Sequence, residues 1–333
     1  MRISTQLSLV LATGALVSGW GYELQKPFVS SPKTTISQPP IGFGTWNLAL
    51  SPQNTTEAVS LAIQAGYRQI DGAAIYRNEV AVGKGIAEGL KKAKLTREEI
   101  WVTSKLWNDH HGDVKLVEKA LSKTLEDLGL DYLDLYLMHW PVGVSPGEKP
   151  TLSYIETWKS MIALSKKKVR NIGISNFSPF QLTDIIAKTG IVPFAHQMEL
   201  HPYLPQSPWI ASQKGMGISI TAYSPLANTN PTYRPGKDPA PPLLKNDVML
   251  EIARSTNCTP AQVALKWGIE RGTSVIPKSA HEVHFVENLQ ALECSLGHKD
   301  LAKIDLLAEK YLTRFSNPSK LWGVSLFEGL EGS

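Results

Sequence analysis

The sequence has little cysteine and no marked excess of charge of either sign. Two cysteines, Cys258 and Cys294, stand among 333 residues. They lack the spacing of a metal site and are too few for a disulfide framework in a chain of this length. We therefore expect two buried or half-buried thiols. The net charge of +4 is too small to indicate a nucleic-acid partner.

The apolar stretch near the N-terminus is too short to cross a membrane. It runs from Leu7 to Val17, after Arg2 and before the small pair Ser18-Gly19. This order is typical of a secretory signal peptide rather than a transmembrane helix. We take residues 1–20 as a candidate signal peptide and 21–40 as an N-terminal leader, with a cytoplasmic protein as the alternative. No membrane partner is expected.

A glycine-rich nucleotide loop is also absent. Gly83, Gly85 and Gly89 do not have the spacing of Gly-x-Gly-x-x-Gly, and they lie inside a helical pattern. A Rossmann domain, in which such a loop joins a strand to a helix, is therefore disfavoured.

From Ile41 onward, strand signals alternate with helix signals. Apolar runs fall at 41–46, 67–71, 100–106, 133–139, 169–175, 194–198, 218–223 and 273–277. Helical patterns separate them, as at 114–128, where Val117, Leu121 and Leu125 recur at helical spacing. Eight such units favour an α/β fold, a (β/α)8 TIM barrel over 41–312. We expect the loop at 226–244 to cover the barrel, and the aromatic tail at 313–333, without a clear helix, to pack back on it.

Polar or aromatic residues end the predicted strands. These residues are Trp46, Asp71, Lys105, His139, Ser175-Asn176, Gln197, Tyr223 and Lys278. In a (β/α)8 barrel, active sites lie at the C-terminal ends of the strands. The equal steps of 34 residues from Asp71 to Lys105 and from Lys105 to His139 match one strand–helix unit each.

Four of the side chains suit proton transfer to a carbonyl oxygen. Tyr76, in the loop after Asp71, carries a phenol whose ordinary pKa is near 10. The ammonium of Lys105 is expected to lower that pKa, and Asp71 to hold Lys105 in its charged form. His139 would orient the carbonyl oxygen. The alternative is four unrelated polar residues in barrel loops.

The segments around these residues resemble the aldo-keto reductases. They are Asp71-Gly-Ala-Ala-Ile-Tyr76-Arg-Asn-Glu, Thr103-Ser-Lys105-Leu-Trp-Asn108, Tyr136-Leu-Met-His139-Trp-Pro141, Gly173-Ile-Ser-Asn176-Phe177 and Ile276-Pro-Lys278-Ser279. The resemblance covers roughly residues 41–330. In the tail it extends weakly to fungal aldehyde reductases and glycerol dehydrogenases. It implies reversible reduction of aldehydes or ketones on a barrel without metal, with NADP(H) preferred, NAD(H) as the second option, and a monomer.

The resemblance also implies roles residue by residue. The catalytic set would be Tyr76, Lys105, Asp71 and His139. The cofactor would meet Thr45, Trp46, Asp71, Ser175, Asn176, Gln197, Tyr223, Ser224, Leu226, Ala261, Lys278, Ser279, His284, Glu287 and Asn288. The substrate, a small carbonyl compound or alcohol, would meet Trp46, Trp107, Asn108, His139 and Trp140.

One position departs from the family pattern. His284 stands six residues after Lys278, where the family usually has an arginine that contacts the 2′-phosphate of NADP. An imidazole is only partly charged at neutral pH, so a weaker preference for NADPH is expected.

Two other functions stay open at this point. A regulatory subunit of the same fold would bind nucleotide without turnover, which the intact set of four disfavours. A secreted glycosidase would need a pair of carboxylates at strand ends. Only Asp71 and Glu199 lie near such ends, and they do not form a suggestive pair.

Overall fold

The computed structural model describes residues 37–48, 52–144, 149, 151–229 and 240–327. The candidate signal peptide, nearly all of the leader, the centre of the 226–244 loop and the last six residues therefore lie outside the described residues. Leader residues 37–40 are described, and they lie at the barrel floor. There Pro39 O accepts a hydrogen bond from Ser274 Oγ and Pro40 O one from Val275 N.

Eight parallel strands form the central sheet of the described chain. In chain order they are β1 Phe43–Gly44, β2 Gln69–Asp71, β3 Trp101–Leu106, β4 Leu133–Met138, β5 Val169–Ser175, β6 Ala195–Glu199, β7 Ser219–Tyr223 and β8 Ser274–Val275. Each strand pairs in parallel with the next in the chain. A parallel bridge between Ile41 and Val275, with Gly44 N donating to Pro277 O, joins the two edges. The predicted (β/α)8 barrel is confirmed.

Helices surround the sheet. They are α1 Pro52–Ala65, α2 Glu79–Ala93, α3 Val114–Leu128, α4 Tyr154–Ile162, α5 Pro179–Thr189, α6 Ser207–Gly215, α7 Asp247–Thr256, α8 Pro260–Glu270, α9 Glu282–Leu289, α10 His298–Asp305, α11 Leu307–Tyr311 and α12 Ser319–Trp322. Side chains at the N-caps Asp113, Ser178 and Thr259 accept hydrogen bonds from the first turns of α3, α5 and α8, which explains where these helices begin. None of the helices in the described ranges is long and apolar enough to cross a membrane.

The three glycines of α2 serve helix packing. A Cβ at Gly83 would lie 2.2 Å from Leu128 O, and one at Gly85 would lie 2.6 Å from Thr56 O. A Cβ at Gly89 would lie 2.9 Å from the side chain of Ile63. Without side chains here, α2 can approach α1 and the end of α3 closely. This packing accounts for glycines that do not form a nucleotide loop.

The expectation of two free thiols is wrong, because Cys258 and Cys294 form a disulfide with their Cα atoms 6.3 Å apart. The bond joins the residue before the N-cap of α8 to the segment after α9. A separation of 36 residues in sequence carries no information about distance, and the barrel brings the two segments together. A cross-link of this kind typically stabilises a fold by about 2–4 kcal/mol.

The tail lies against the mouth of the barrel. Trp322 packs edge-on against Trp140 with ring centroids 5.1 Å apart, and Phe327 meets the same ring at 6.2 Å. The sequence pattern did not predict the four-residue helix α12 that carries Trp322. Elsewhere, Trp101, Trp158 and Trp267 are buried in the core.

Candidate active site

A cavity of about 330 Å³ opens at the C-terminal ends of the strands. Its walls include most of the residues expected at the strand ends. The expected lining residues are Thr45, Trp46, Asp71, Tyr76, Trp107, His139, Trp140, Asn176, Gln197, Tyr223, Ser224, Leu226 and Lys278. Strand-end side chains more than a hundred residues apart in sequence therefore share one site.

A buried ion pair lies at the base of this cavity. Lys105 is fully buried at the end of β3, and its Nζ donates hydrogen bonds to Asp71 Oδ1 and, at 2.8 Å, to Gly72 O. The other carboxylate oxygen of Asp71 accepts from Gln197 Nε2 at 2.7 Å. Burial lowers the pKa of Lys105 below its usual value, while the Asp71 carboxylate acts to raise it. Adjacent strands β2 and β3 supply the two charges, so the barrel itself sets their distance.

Tyr76 extends from a short turn, Ala74–Tyr76, just after β2. Its Oη lies 3.4 Å from Lys105 Nζ. The expected lowering of its pKa is not found: burial, with Asp71, raises the pKa of the Tyr76 phenol well above its usual value. The Lys105 charge is already matched by Asp71, so it does not overcome the loss of solvation. The phenol therefore stays protonated at neutral pH, which is the form that donates a proton.

His139 follows β4 and shares the cavity wall with Tyr76. Its ring centroid lies 5.8 Å from that of Tyr76 and 5.2 Å from that of Trp107. Burial, together with the positive charge of Lys105, lowers the pKa of His139 well below its usual value. A neutral imidazole carries a single N–H. The side chain is thus suited to orient an oxygen atom rather than to supply a charge.

Several of the residues expected to meet the cofactor already bond to one another. Asn176 Nδ2 donates to His139 O and to Ser175 Oγ, each at 3.0 Å. Asn176 Oδ1 accepts from Tyr223 Oη at 2.6 Å. This network fixes the orientation of the Tyr223 ring, which forms one wall of the cavity. Asn176 has a left-handed backbone with φ 62°, a conformation that asparagine tolerates better than most residues.

Lys278 also lines the cavity. It is half-buried, burial lowers its pKa, and no carboxylate of the described residues forms a salt bridge with it. The other residues expected to meet the cofactor lie outside the cavity lining. They are Ser175, Ala261, Ser279, His284, Glu287 and Asn288. His284 is largely exposed, and its Nδ1 lies 3.4 Å from Glu287 Oε2.

Asn108 differs from the other residues expected to meet the substrate. It is 2% exposed and is not among the residues that line the cavity, and its backbone O accepts a hydrogen bond from Val144 N. Other lining residues were missed because most are apolar or glycine, Thr229 lies in a loop and Ser316 lies in the tail. They are Gly44, Ile75, Pro225, Ala227, Thr229, Ile276, Pro277 and Ser316. Ser316 had no signal, since nothing in a tail sequence indicates which strand it crosses.

Two further carboxylates have structural roles. Glu199 is fully buried and accepts hydrogen bonds from the tail, so it does not pair with Asp71 as a glycosidase would require. Glu79 accepts hydrogen bonds from Ser104 Oγ at 2.6 Å and Thr124 Oγ1 at 3.2 Å. Burial raises the pKa of Glu79 to about 7, against these hydroxyls and Lys105, which lower it. No group of three or more metal-ligating side chains occurs in the described part of the chain.

Comparison with known proteins gives the class to which this barrel belongs. The sequence model of the Aldo/keto reductase family matches residues 40–309. An uncharacterized oxidoreductase of Schizosaccharomyces pombe is 42% identical over 308 residues, 88% of this chain and 91% of that protein. Aldo-keto reductase family 1 member A1 of Bos taurus is 40% identical over 283 residues, 81% of this chain and 86% of that protein.

Two solved structures indicate the same family. A Bombyx mori aldo-keto reductase in complex with NADP superposes with a TM-score of 0.80 at 33% identity, covering 87% of this chain and 94% of that one. The aldose reductase of Schistosoma japonicum superposes with a TM-score of 0.77, also at 33% identity, covering 90% of this chain and 97% of that one. The chain belongs to the aldo-keto reductase family, and it is therefore an oxidoreductase that acts on carbonyl or alcohol groups.

The raised pKa of Glu79 predicts a pH-dependent stability. The folded chain holds this proton up to a pH of about 7, whereas the unfolded chain releases it near pH 4.3. The free energy of unfolding should therefore fall as pH rises through this window. Glu79→Gln keeps an acceptor for Ser104 and cannot ionise, so we expect it to be more stable than the wild type at pH 8 by roughly 3–4 kcal/mol.

Denaturant unfolding at pH 5 and pH 8 measures this difference. The exposed Glu118→Gln is the matched control, for which we expect no gain at pH 8. A Glu79 variant that is no more stable at pH 8 than at pH 5, relative to wild type, would contradict the assignment.

Proposed function

We propose that the chain reduces aldehydes or ketones to alcohols with NADPH, and catalyses the reverse oxidation, with Tyr76 as the general acid and base. The observation that carries the proposal is the contact among Tyr76, Lys105 and Asp71 at the base of a cavity lined by His139. A substrate carbonyl between Tyr76 and His139 would meet two donors at one oxygen. Such preorganised donors stabilise the negative charge that develops on that oxygen.

The roles of the four side chains follow from their charge states. Tyr76 donates its proton to the carbonyl oxygen as the alcohol forms, and the resulting phenolate lies next to the ammonium of Lys105. Asp71 keeps that ammonium in place through its hydrogen bond. His139, held neutral, orients the carbonyl oxygen. General acid catalysis of this kind contributes typically about 10²- to 10⁴-fold in rate.

The residues present fit a nicotinamide cofactor, which would supply the hydride. The cavity extends from the catalytic residues, past Tyr223 and Ser224, to the half-buried Lys278. An ammonium without a carboxylate partner at that end suits an anionic group such as a phosphate. Tyr223, fixed through Asn176, offers an aromatic face to a planar ring. The amide atoms of Asn176 and Gln197 would hold the ring's carboxamide only if they exchange some of their present partners.

The alternative is a nucleotide-binding subunit without turnover. It would need the cofactor site but not a protonated phenol beside a buried ammonium. The intact contact between Tyr76 and Lys105 favours the enzyme.

Replacing Tyr76 by Phe removes the proton donor and leaves the cofactor walls in place. We expect kcat for aldehyde reduction to fall by at least about 100-fold, while the Kd for NADPH changes less than about threefold. The loss of NADPH absorbance at 340 nm measures kcat, and the quenching of tryptophan fluorescence measures the Kd for NADPH. The control is Thr229→Ser, which also removes one small group, a methyl, from a residue that lines the cavity. Turnover retained in Tyr76→Phe would refute the proposed acid.

Replacing His284 by Arg adds a permanent charge beside the expected phosphate end. A charge-assisted hydrogen bond contributes about 1.5–3 kcal/mol, so the Kd for NADPH should fall by at least about tenfold and that for NADH should not change. His298→Arg, on α10, adds the same charge elsewhere and should alter neither constant. If both cofactors gain equally, or neither gains, His284 does not face the 2′-phosphate.

A further inference from the structure

The buried carboxylate of Glu199 has no role in the chemistry above. It ends β6 and is fully buried. Its Oε1 accepts hydrogen bonds from His201 Nε2 at 2.9 Å and from the backbone N–H of Phe315 at 2.7 Å. Its Oε2 accepts from the backbone N–H of Ser316 at 2.8 Å, and Arg314 Nη1 lies 4.0 Å away. A single barrel side chain thus holds three consecutive residues of the tail.

The groups around Glu199 stabilise the negative charge of its carboxylate. Burial alone would raise the pKa of Glu199, but His201, Arg314 and the Phe315 amide together bring it below its usual value. Two backbone donors, the imidazole of His201 and the guanidinium of Arg314 therefore face an ionised carboxylate. An amide in its place would turn an NH₂ group toward one of the backbone donors, because a glutamine side chain has only one acceptor oxygen.

The tail reaches the cavity at Ser316, which lines it. The segment after Ser316 packs against other lining residues. Asn317 Oδ1 accepts from Ser319 N at the start of α12, and α12 carries Trp322 to its contacts with Trp140 and, at 6.3 Å, Trp107. Both of those tryptophans line the cavity.

The C-terminal end of the same tail segment contacts its N-terminal end. The guanidinium of Arg314 lies over the ring of Phe327, 3.8 Å from its centroid. Phe327 also packs against Trp140. Residues 314–327 therefore form a closed loop attached to the barrel at Glu199. Ser316 of this loop lines the cavity and Trp322 packs on two lining tryptophans; we call these two residues the tail wall.

We propose that Glu199 is a positioning residue for substrate selection: by clasping residues 314–316 to β6, it holds the tail wall of the cavity against Trp140 and Trp107. Substrates large enough to touch that wall depend on the clasp, and substrates confined to Tyr76 and His139 do not. The proposal rests on the proposed carbonyl reduction for its kinetic consequences, but the attachment of the tail can be measured without any turnover.

The test compares Glu199→Gln with wild type using 4-nitrobenzaldehyde as the large probe and propanal as the small one. We expect KM for 4-nitrobenzaldehyde to rise about tenfold, as the loss of a hydrogen bond to a charged group implies. KM for propanal, kcat for propanal and the Kd for NADPH should each stay within about twofold. In addition, trypsin should cut after Arg314, which is 6% exposed in the intact fold.

Asp134→Asn is the matched control. Asp134 is also a fully buried carboxylate that accepts from a backbone N–H, that of Val102, and pairs with an arginine, Arg97. Neither of these two partners of Asp134 lies in the tail. A general loss of stability would appear in both variants, but the selective rise in KM and the cleavage after Arg314 should appear in Glu199→Gln alone.

If Glu199→Gln does not fold, Phe327→Ala opens the loop at its other end and should raise the same KM without affecting propanal. Equal changes for both aldehydes, or no change together with continued protection of Arg314, would overturn the proposal. If the wild type reduces neither aldehyde, the proposed function fails, and the tryptic pattern alone then decides whether Glu199 clasps the tail.

Discussion

The buried pair of Lys105 and Asp71 is the interaction on which the active site depends. Neither charge would be tolerated alone, since removing one partner of a buried ion pair typically costs about 3–5 kcal/mol. The pair joins β2 to β3, and through Gln197 it reaches β6. Tyr76, 3.4 Å from Lys105, owes its neighbouring cation to this arrangement, while burial and Asp71 raise the pKa of its phenol. The four catalytic candidates therefore form one unit rather than a set of separate contributions.

The main features of the site could be predicted because barrel geometry converts sequence position into spatial position. Asp71, Lys105 and His139 each end an apolar run, and parallel strands bring such ends together. Contacts that do not follow from strand order could not be predicted in this way. The disulfide between Cys258 and Cys294 and the contact of the tail with Glu199 both depend on how loops cross the barrel, for which the sequence carries no periodic signal.

The pKa values and side-chain directions at the site were harder to predict than the positions of its residues in the barrel. The sequence places Lys105 beside Tyr76, which suggests a lowered phenol pKa, but the direction of the shift depends on burial and on the partner that Lys105 already has. The structure shows the phenol pKa raised by burial and by Asp71. In the same way, the motif suggested Asn108 as a substrate contact, but its side chain is buried outside the cavity lining. Solvation and side-chain direction decide both cases, and neither can be seen in a motif.

The catalytic unit and the tail divide the work of the cavity. The strand ends hold most of the groups proposed to act on a carbonyl oxygen, and their positions are determined by the sheet. The tail contributes Ser316 to the cavity lining and packs Trp322 on Trp107 and Trp140, and its residues 315 and 316 donate to Glu199 at the end of β6. Such a division would let the chemistry stay constant while the accepted substrates vary with the tail.

The central claim is that the ion pair enables Tyr76 to act, and the double variant Asp71→Asn/Lys105→Met tests it most directly. Removing both charges together avoids an uncompensated buried ion, so folding is expected to survive. The measurement is the single-turnover rate of NADPH oxidation with an aldehyde at saturating cofactor. We expect this rate to fall by at least about 100-fold; a rate within about threefold of wild type would contradict the role given to the ion pair.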